Sequence, residues 1–181
     1  MTWSSTALYY DHINREIARR LGGLHSGRIA IESFDFDEIA AQEASGDWDG
    51  IGESLATAAR NLEAGGADAI VIACNTVHKS CGPLEATLKI PFFHIADATA
   101  DKLVADRCKR VALLGTRFTM TEPFFRSRLE GRGIDLPCRG IGQVQSVDHH
   151  WNRNNRICLI DGNGLDAIRA ELGRGVLILA A

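Results

Sequence analysis

The sequence has no apolar stretch long enough to span a bilayer. Its opening, MTWSSTALYYDHINREIARR, lacks the basic start, apolar centre and small-residue cleavage site of a signal peptide. Both absences point to the cytoplasm and away from a membrane. Excess positive charge is missing too: the net charge of −3 gives no electrostatic basis for nucleic acid or an anionic lipid surface. The densest basic cluster, Arg15, Arg19 and Arg20, reads as a solvated helix face. Five cysteines, an odd number without regular spacing, exclude a disulfide framework and suggest reduced thiols. No phosphate-binding loop of the Walker type is present, and GIGQVQ (140–145) lacks the third glycine of a dinucleotide loop. Cys74, His78 and Cys81, with His94, His149 or His150 as a fourth ligand, match none of the usual zinc spacings, so no metal is expected.

What is present is a regular alternation. The chain has 181 residues, 45% of them hydrophobic and 24% charged, enough for one ordinary domain or two small lobes. Residues 5–21 carry Tyr10, Ile13, Ile17 and Leu21 at helical spacing and stop at Gly22-Gly23. RIAIESFDF (28–36) reads as a strand, and residues 50–64 place Ile51, Leu55, Ala58 and Leu62 on one helical face. ADAIVIACN is almost wholly apolar, as in a parallel strand buried on both sides. Then come a strand in 90–97, a helix over 97–106, a strand in 110–116, a helix over 119–132 and a final strand, GVLILAA (175–181). This rhythm predicts an α/β protein with a parallel sheet, restarting near residue 97 as two similar lobes, 1–96 and 97–181. Residues 142–164 fit the rhythm badly, apart from RICLI.

Cys74 stands at the expected carboxyl end of the most buried strand, with Asn75, Thr76, Val77 and His78 opening the next element. A helix start there would bring N–H groups and a positive dipole end beside the sulfur. Such a thiol can serve as general base or nucleophile; the plainer reading is a buried cysteine packing as a small hydrophobe. LLGTRFT (113–119) repeats the form, and its Thr116 and Thr119 suit either an anion-binding turn or a simple helix cap.

Five segments taken together resemble the aspartate/glutamate racemase family, in its aspartate or broad-specificity amino-acid branch. They are MTWSSTALYYDHIN, RLGGLHSGRIAIESFDFDEI, GGADAIVIACNTVHK, FFHIADATA and RVALLGTRFTM, in order from residue 1 to about 132. The resemblance implies two α/β lobes, each a parallel sheet flanked by helices, related by a pseudo-twofold axis with the substrate in the cleft between them. It implies cofactor-independent interconversion of L- and D-aspartate, or of several amino acids, by two opposed thiols, and a homodimer. By the same resemblance Cys74 is the acid/base of the first lobe, and Asn75 and Thr76 hold the substrate carboxylate. Met1 and Gln42 line the pocket, and Thr116 and Thr119 form the anion-binding turn of the second lobe. Family members also carry a short strand ending in Gly-Gly before the M-[ST]-W segment, and a second thiol in a Gly-Cys-Thr-Glu segment after a strand like GVLILAA. This sequence shows neither, so a chain clipped at both ends is expected, with a gap in the centre of its first sheet. Cys138 or Cys158 would replace the second thiol only if residues 138–160 fold over the cleft. The alternative expectation is an impaired or non-catalytic remnant that binds a small carboxylic acid.

Overall fold

Residues Trp3–Leu21 form α1 in the computed structural model, which describes residues 3–136, 156–159 and 177–180. The helix stops at Gly22, whose φ of 76° is a left-handed conformation that suits glycine. Its packed face differs from the one apolar spacing predicts. Thr6, Tyr9, Ile13 and Glu16 are buried, whereas Tyr10 is 50% and Leu21 64% exposed. Glu16 tolerates that face because its carboxylate is neutralised in place. It accepts from Arg19 Nε and Nη2 at 2.8 and 2.7 Å and from Arg20 Nε at 2.7 Å.

The same arginines lower the Glu16 pKa from 4.5 to about 2, chiefly through those hydrogen bonds. A depressed folded-state pKa stabilises the fold above the unfolded value and loses that contribution as pH falls toward the folded one. We therefore expect α1 to weaken between pH 4.5 and about 2. Circular dichroism should show a shallower acid transition in that window for Glu16→Gln than for the parent chain.

β1 (Ile31–Ser33) leads into α2 (Phe36–Ser45), a helix not expected from the sequence. Asp35 caps α2 by accepting from the Asp37 N–H at 3.0 Å. Asp47 caps α3 (Trp48–Ala64) in the same way through the Gly50 N–H, also at 3.0 Å. The face of α3 read from the sequence, Ile51, Leu55, Ala58 and Leu62, is buried. It forms a core with Ile70 and Ile72 of β2 (Ile70–Ile72) and with Val77, Cys81 and Leu84. Each such leucine or isoleucine contributes about 1.5–3 kcal/mol by leaving water.

After β2 the chain enters a 3-10 turn, Thr76–Ser80, then α4 (Gly82–Thr87) and β3 (Phe92–Phe93). The next elements are α5 (Ile95–Ala105) and β4 (Val111–Leu114). The helix expected over 119–132 is two helices, α6 (Arg117–Thr121) and α7 (Pro123–Glu130). Glu122 between them is extended, at φ −94° and ψ 156°, as a residue preceding proline prefers. β5 (Arg156–Leu159) and β6 (Leu177–Ala180) complete the described chain.

Two compact units result, 1–94 with 168–181, and 95–167. The first contains a four-stranded parallel sheet in the order β1-β6-β2-β3. Its centre is thus not a gap: β6 lies between β1 and β2, pairing Ile178 with Ile31 on one side and with Val71 on the other. A nearly unbroken apolar run suits that place, since a central parallel strand is covered on both faces. The second unit pairs β4 with β5 in parallel and packs Val111 and Leu113 against α5 and α7, whose Ala100, Leu103, Phe125 and Leu129 are buried. Arg128 and Arg132 reach Asp97 and Asp101 across those two helices. Among the described residues no helix is long and apolar enough to cross a membrane.

Candidate active site around Cys74

The strand β2 is sealed on every side, with Ile70, Val71 and Ile72 at most 1% exposed. Two residues past its end, Cys74 and Asn75 emerge half-buried before Thr76 is buried again. Cys74 therefore stands just past the carboxyl end of a parallel strand, partly packed on the core, at the side of the sheet where α/β folds usually take ligands. It is neither wholly enclosed nor on an open surface.

Beyond Cys74 and Asn75 the chain forms a five-residue 3-10 turn rather than the start of a long α-helix, and α4 begins only at Gly82. Pro83 stands in the first turn of α4, where its missing N–H costs no helical hydrogen bond. The turn is held from two directions. Lys79 Nζ lies 4.0 Å from the centroid of the Trp48 ring at the start of α3. Close by, Gly52 of α3 meets the Ser80 carbonyl, where an added Cβ would stand only 3.0 Å from the oxygen. The Cys74 loop is thereby pinned to the best-packed helix of the unit.

The 3-10 geometry leaves its mark on Cys74 itself. The His78 N–H bonds the Asn75 carbonyl at 3.2 Å, an i to i+3 step, instead of the Cys74 carbonyl that an α-helix would use. The Cys74 carbonyl accepts instead from the ring of His78, with Nδ1 to oxygen 2.6 Å. His78 is buried, its ring 5.8 Å between centroids from Phe92 and 4.4 Å from His94.

Tyr9 of α1, also buried, lies within electrostatic reach of the thiol. Its pKa is pushed well above the ordinary phenol value, first by desolvation and then by negative charge on Cys74. It therefore stays a neutral O–H at physiological pH. The sequence does not single out Tyr9, because an aromatic in an amphipathic helix looks like any other packing residue. His78 reads in the sequence only as a poor zinc ligand; its spacing of four from Cys74 is the signal that could have found it.

The other residues singled out from the sequence are spread over both units. Gln42 is in the last turn of α2, where its Nε2 donates to Asp47 Oδ2 at 3.2 Å. In the second unit, Thr116 caps α6. Its Oγ1 accepts from the Thr119 N–H at 3.4 Å and lies 3.1 Å from Thr119 Oγ1, with Thr119 fully buried. Capping is thus an established role of Thr116. Met1, Cys138, His149 and His150 lie outside the described residues, and Cys158 is described only as part of the backbone of β5. Among the described residues no three His, Cys, Asp or Glu side chains gather as a metal site.

A partly buried thiol at a strand end, with an amide and a hydroxyl side chain directly after it, can exchange a proton with a bound acid. The profile of the Asp/Glu/hydantoin racemase family matches residues 1–154. Over 90 residues the chain is 30% identical to the broad-specificity amino-acid racemase RacX of Bacillus subtilis (strain 168), an overlap of 50% of this chain and 39% of that protein. The chain is thus similar to well under half the length of that relative. A crystal structure from Yersinia pestis, assigned to the Asp/Glu racemases, aligns with TM-score 0.71 and 43% identity over 75% of this chain and 59% of that one. An aspartate racemase homologue from Pyrococcus horikoshii OT3 aligns with TM-score 0.65 and 32% identity, at the same coverage of both chains.

Proposed function

The chain belongs to the Asp/Glu/hydantoin racemase family, and on that premise we propose that it acts on an amino acid such as aspartate by proton transfer between Cys74 and the α-carbon. The observation that carries this reading is the partly buried Cys74 at the end of the buried strand β2, with Asn75 and Thr76 directly after it. Cys74 as thiolate takes the α-proton, and the electron pair left on carbon delocalises into the carboxylate. Donors at Asn75 and Thr76 stabilise that charge as it develops, which is where most of the rate enhancement of such a site arises. Thiols suit the task because their acidity is adjustable toward neutrality, and the proton transfers themselves call for no cofactor.

Inversion needs a second acid on the opposite face. We extend the proposal to the two-lobed arrangement that the resemblance implies, with Thr116 and Thr119 serving the same substrate and a second thiol facing Cys74. L-Aspartate incubated with the chain in heavy water tests both levels, with proton NMR and chiral chromatography as the readouts. Loss of the α-proton signal with D-aspartate appearing is the result expected of two working acids, and deuterium uptake without inversion is the result expected of one. If neither occurs while aspartate still raises the melting temperature, the chain is an acid-binding member of the family without the activity.

A further inference from the structure

The fixed geometry of a peptide plane makes one buried side chain more than packing. In a trans peptide the C=O and the N–H point to opposite sides. Whatever fixes the Cys74 carbonyl therefore also fixes the direction of the Asn75 N–H and the path of the chain at the Cys74 Cα. The His78 ring does this, through its 2.6 Å bond to the Cys74 oxygen. A carbonyl oxygen can only accept, so Nδ1 carries the hydrogen and the tautomer of His78 is set. Ring rotation is restricted by the neighbours: Phe92 stacks against it at an interplanar angle of 27°, and His94 meets it edge-on at 61°. With 1% exposure the ring has no water to turn toward.

We infer that His78 is a positioning residue for the proposed proton transfer, holding the Cys74–Asn75 peptide plane so that the thiol and the Asn75 amide face the substrate together. The inference rests on the reading of Cys74 as the acid/base. His94 and Phe92 keep the His78 ring in the one orientation that reaches the carbonyl. The His78 side chain supplies the hydrogen bond that the 3-10 backbone gives up, so its effect passes through main chain rather than through the substrate.

The test compares His78→Phe, which keeps a flat ring but loses the donor, with His78→Asn, which keeps a donor four residues from Cys74. Iodoacetamide alkylation of Cys74 is measured by peptide mass mapping from pH 6 to 9, with thermal melting as a fold control. Folded His78→Phe is expected to alkylate Cys74 about tenfold more slowly, the scale of one lost hydrogen bond. His78→Asn is expected to stay within about fivefold of the parent with the same pH profile. Equal rates in all three proteins, or an asparagine variant slowed as much as the phenylalanine one, would overturn the inference. If His78→Phe does not fold, His78→Leu, which also lacks a donor, takes its place in the comparison, and the same outcomes support or overturn the inference. Alkylation reads the sulfur and not racemisation, so this outcome is separable from that of the heavy-water experiment.

Discussion

Cys74→Ala is expected to slow α-proton exchange with solvent by about 10²–10⁴-fold, the usual contribution of one positioned acid/base group. Neither the two residues after the sulfur nor Tyr9 can take its place. Asn75 and Thr76 do not ionise in the accessible range, and Tyr9 stays protonated because burial raises its pKa, a cause the substitution leaves in place. Cys74→Ser is expected to be nearly as slow, since a hydroxyl holds its proton far more tightly than a thiol. Aspartate should still be retained by both variants, because its carboxylate contacts are assigned to neighbouring residues. The loss then falls on kcat rather than on KM. The half-buried sulfur contributes modestly to packing, so both variants should melt close to the parent. Exchange rates from proton NMR in heavy water, with melting curves beside them, check all of this. An alanine variant that exchanges at the parent rate removes Cys74 from the mechanism.

The second large effect concerns the sheet. Ile178→Pro is expected to unfold the first unit. Ile178 is paired on both sides, with Ile31 of β1 and Val71 of β2. Proline offers no N–H to the ladder and is excluded from central strands for that reason. The substitution would separate β1 from β2, and with them the loop that carries Cys74. Ile178→Val keeps the backbone donor, so the ladder stays intact and the variant should remain folded. Urea titration by circular dichroism distinguishes the two. A proline variant with the parent's midpoint would mean that β6 does not complete this sheet.

Local signals in the sequence locate strands and helices better than they locate the pairing between them. The strand end before Cys74 is legible because a run of apolar residues ending in polar ones has one economical explanation, a buried strand that stops. α3 is legible because Ile51, Leu55, Ala58 and Leu62 repeat at the helical period. The face of α1 defeats the same reasoning because hydrophobicity there is not burial: Glu16 lies on the packed side by virtue of two arginines on the next turn. α2 escapes notice although Asp35 and the acidic first turn, Asp37 and Glu38, are ordinary signs of a helix start. Its interior, with Ile39 as its buried residue, has too little periodicity to draw attention. The place of β6 is not legible at all. Strand order depends on partners far away in the chain, and an apolar run carries no address for them. The role of His78 is hidden for a related reason, since the choice between an α-turn and a 3-10 turn decides which carbonyl its ring must satisfy.

The position of β6 also bears on how the polypeptide is made. Ribosomes deliver residues at roughly 5–20 per second, so β1, β2 and β3 leave the exit tunnel on the order of ten seconds before the strand that joins the first two. During that interval the facing edges of β1 and β2 have no intramolecular neighbour, a state that invites pairing with other nascent chains. Production of this protein should therefore benefit from slower initiation or from added chaperone capacity, even where the finished molecule is stable.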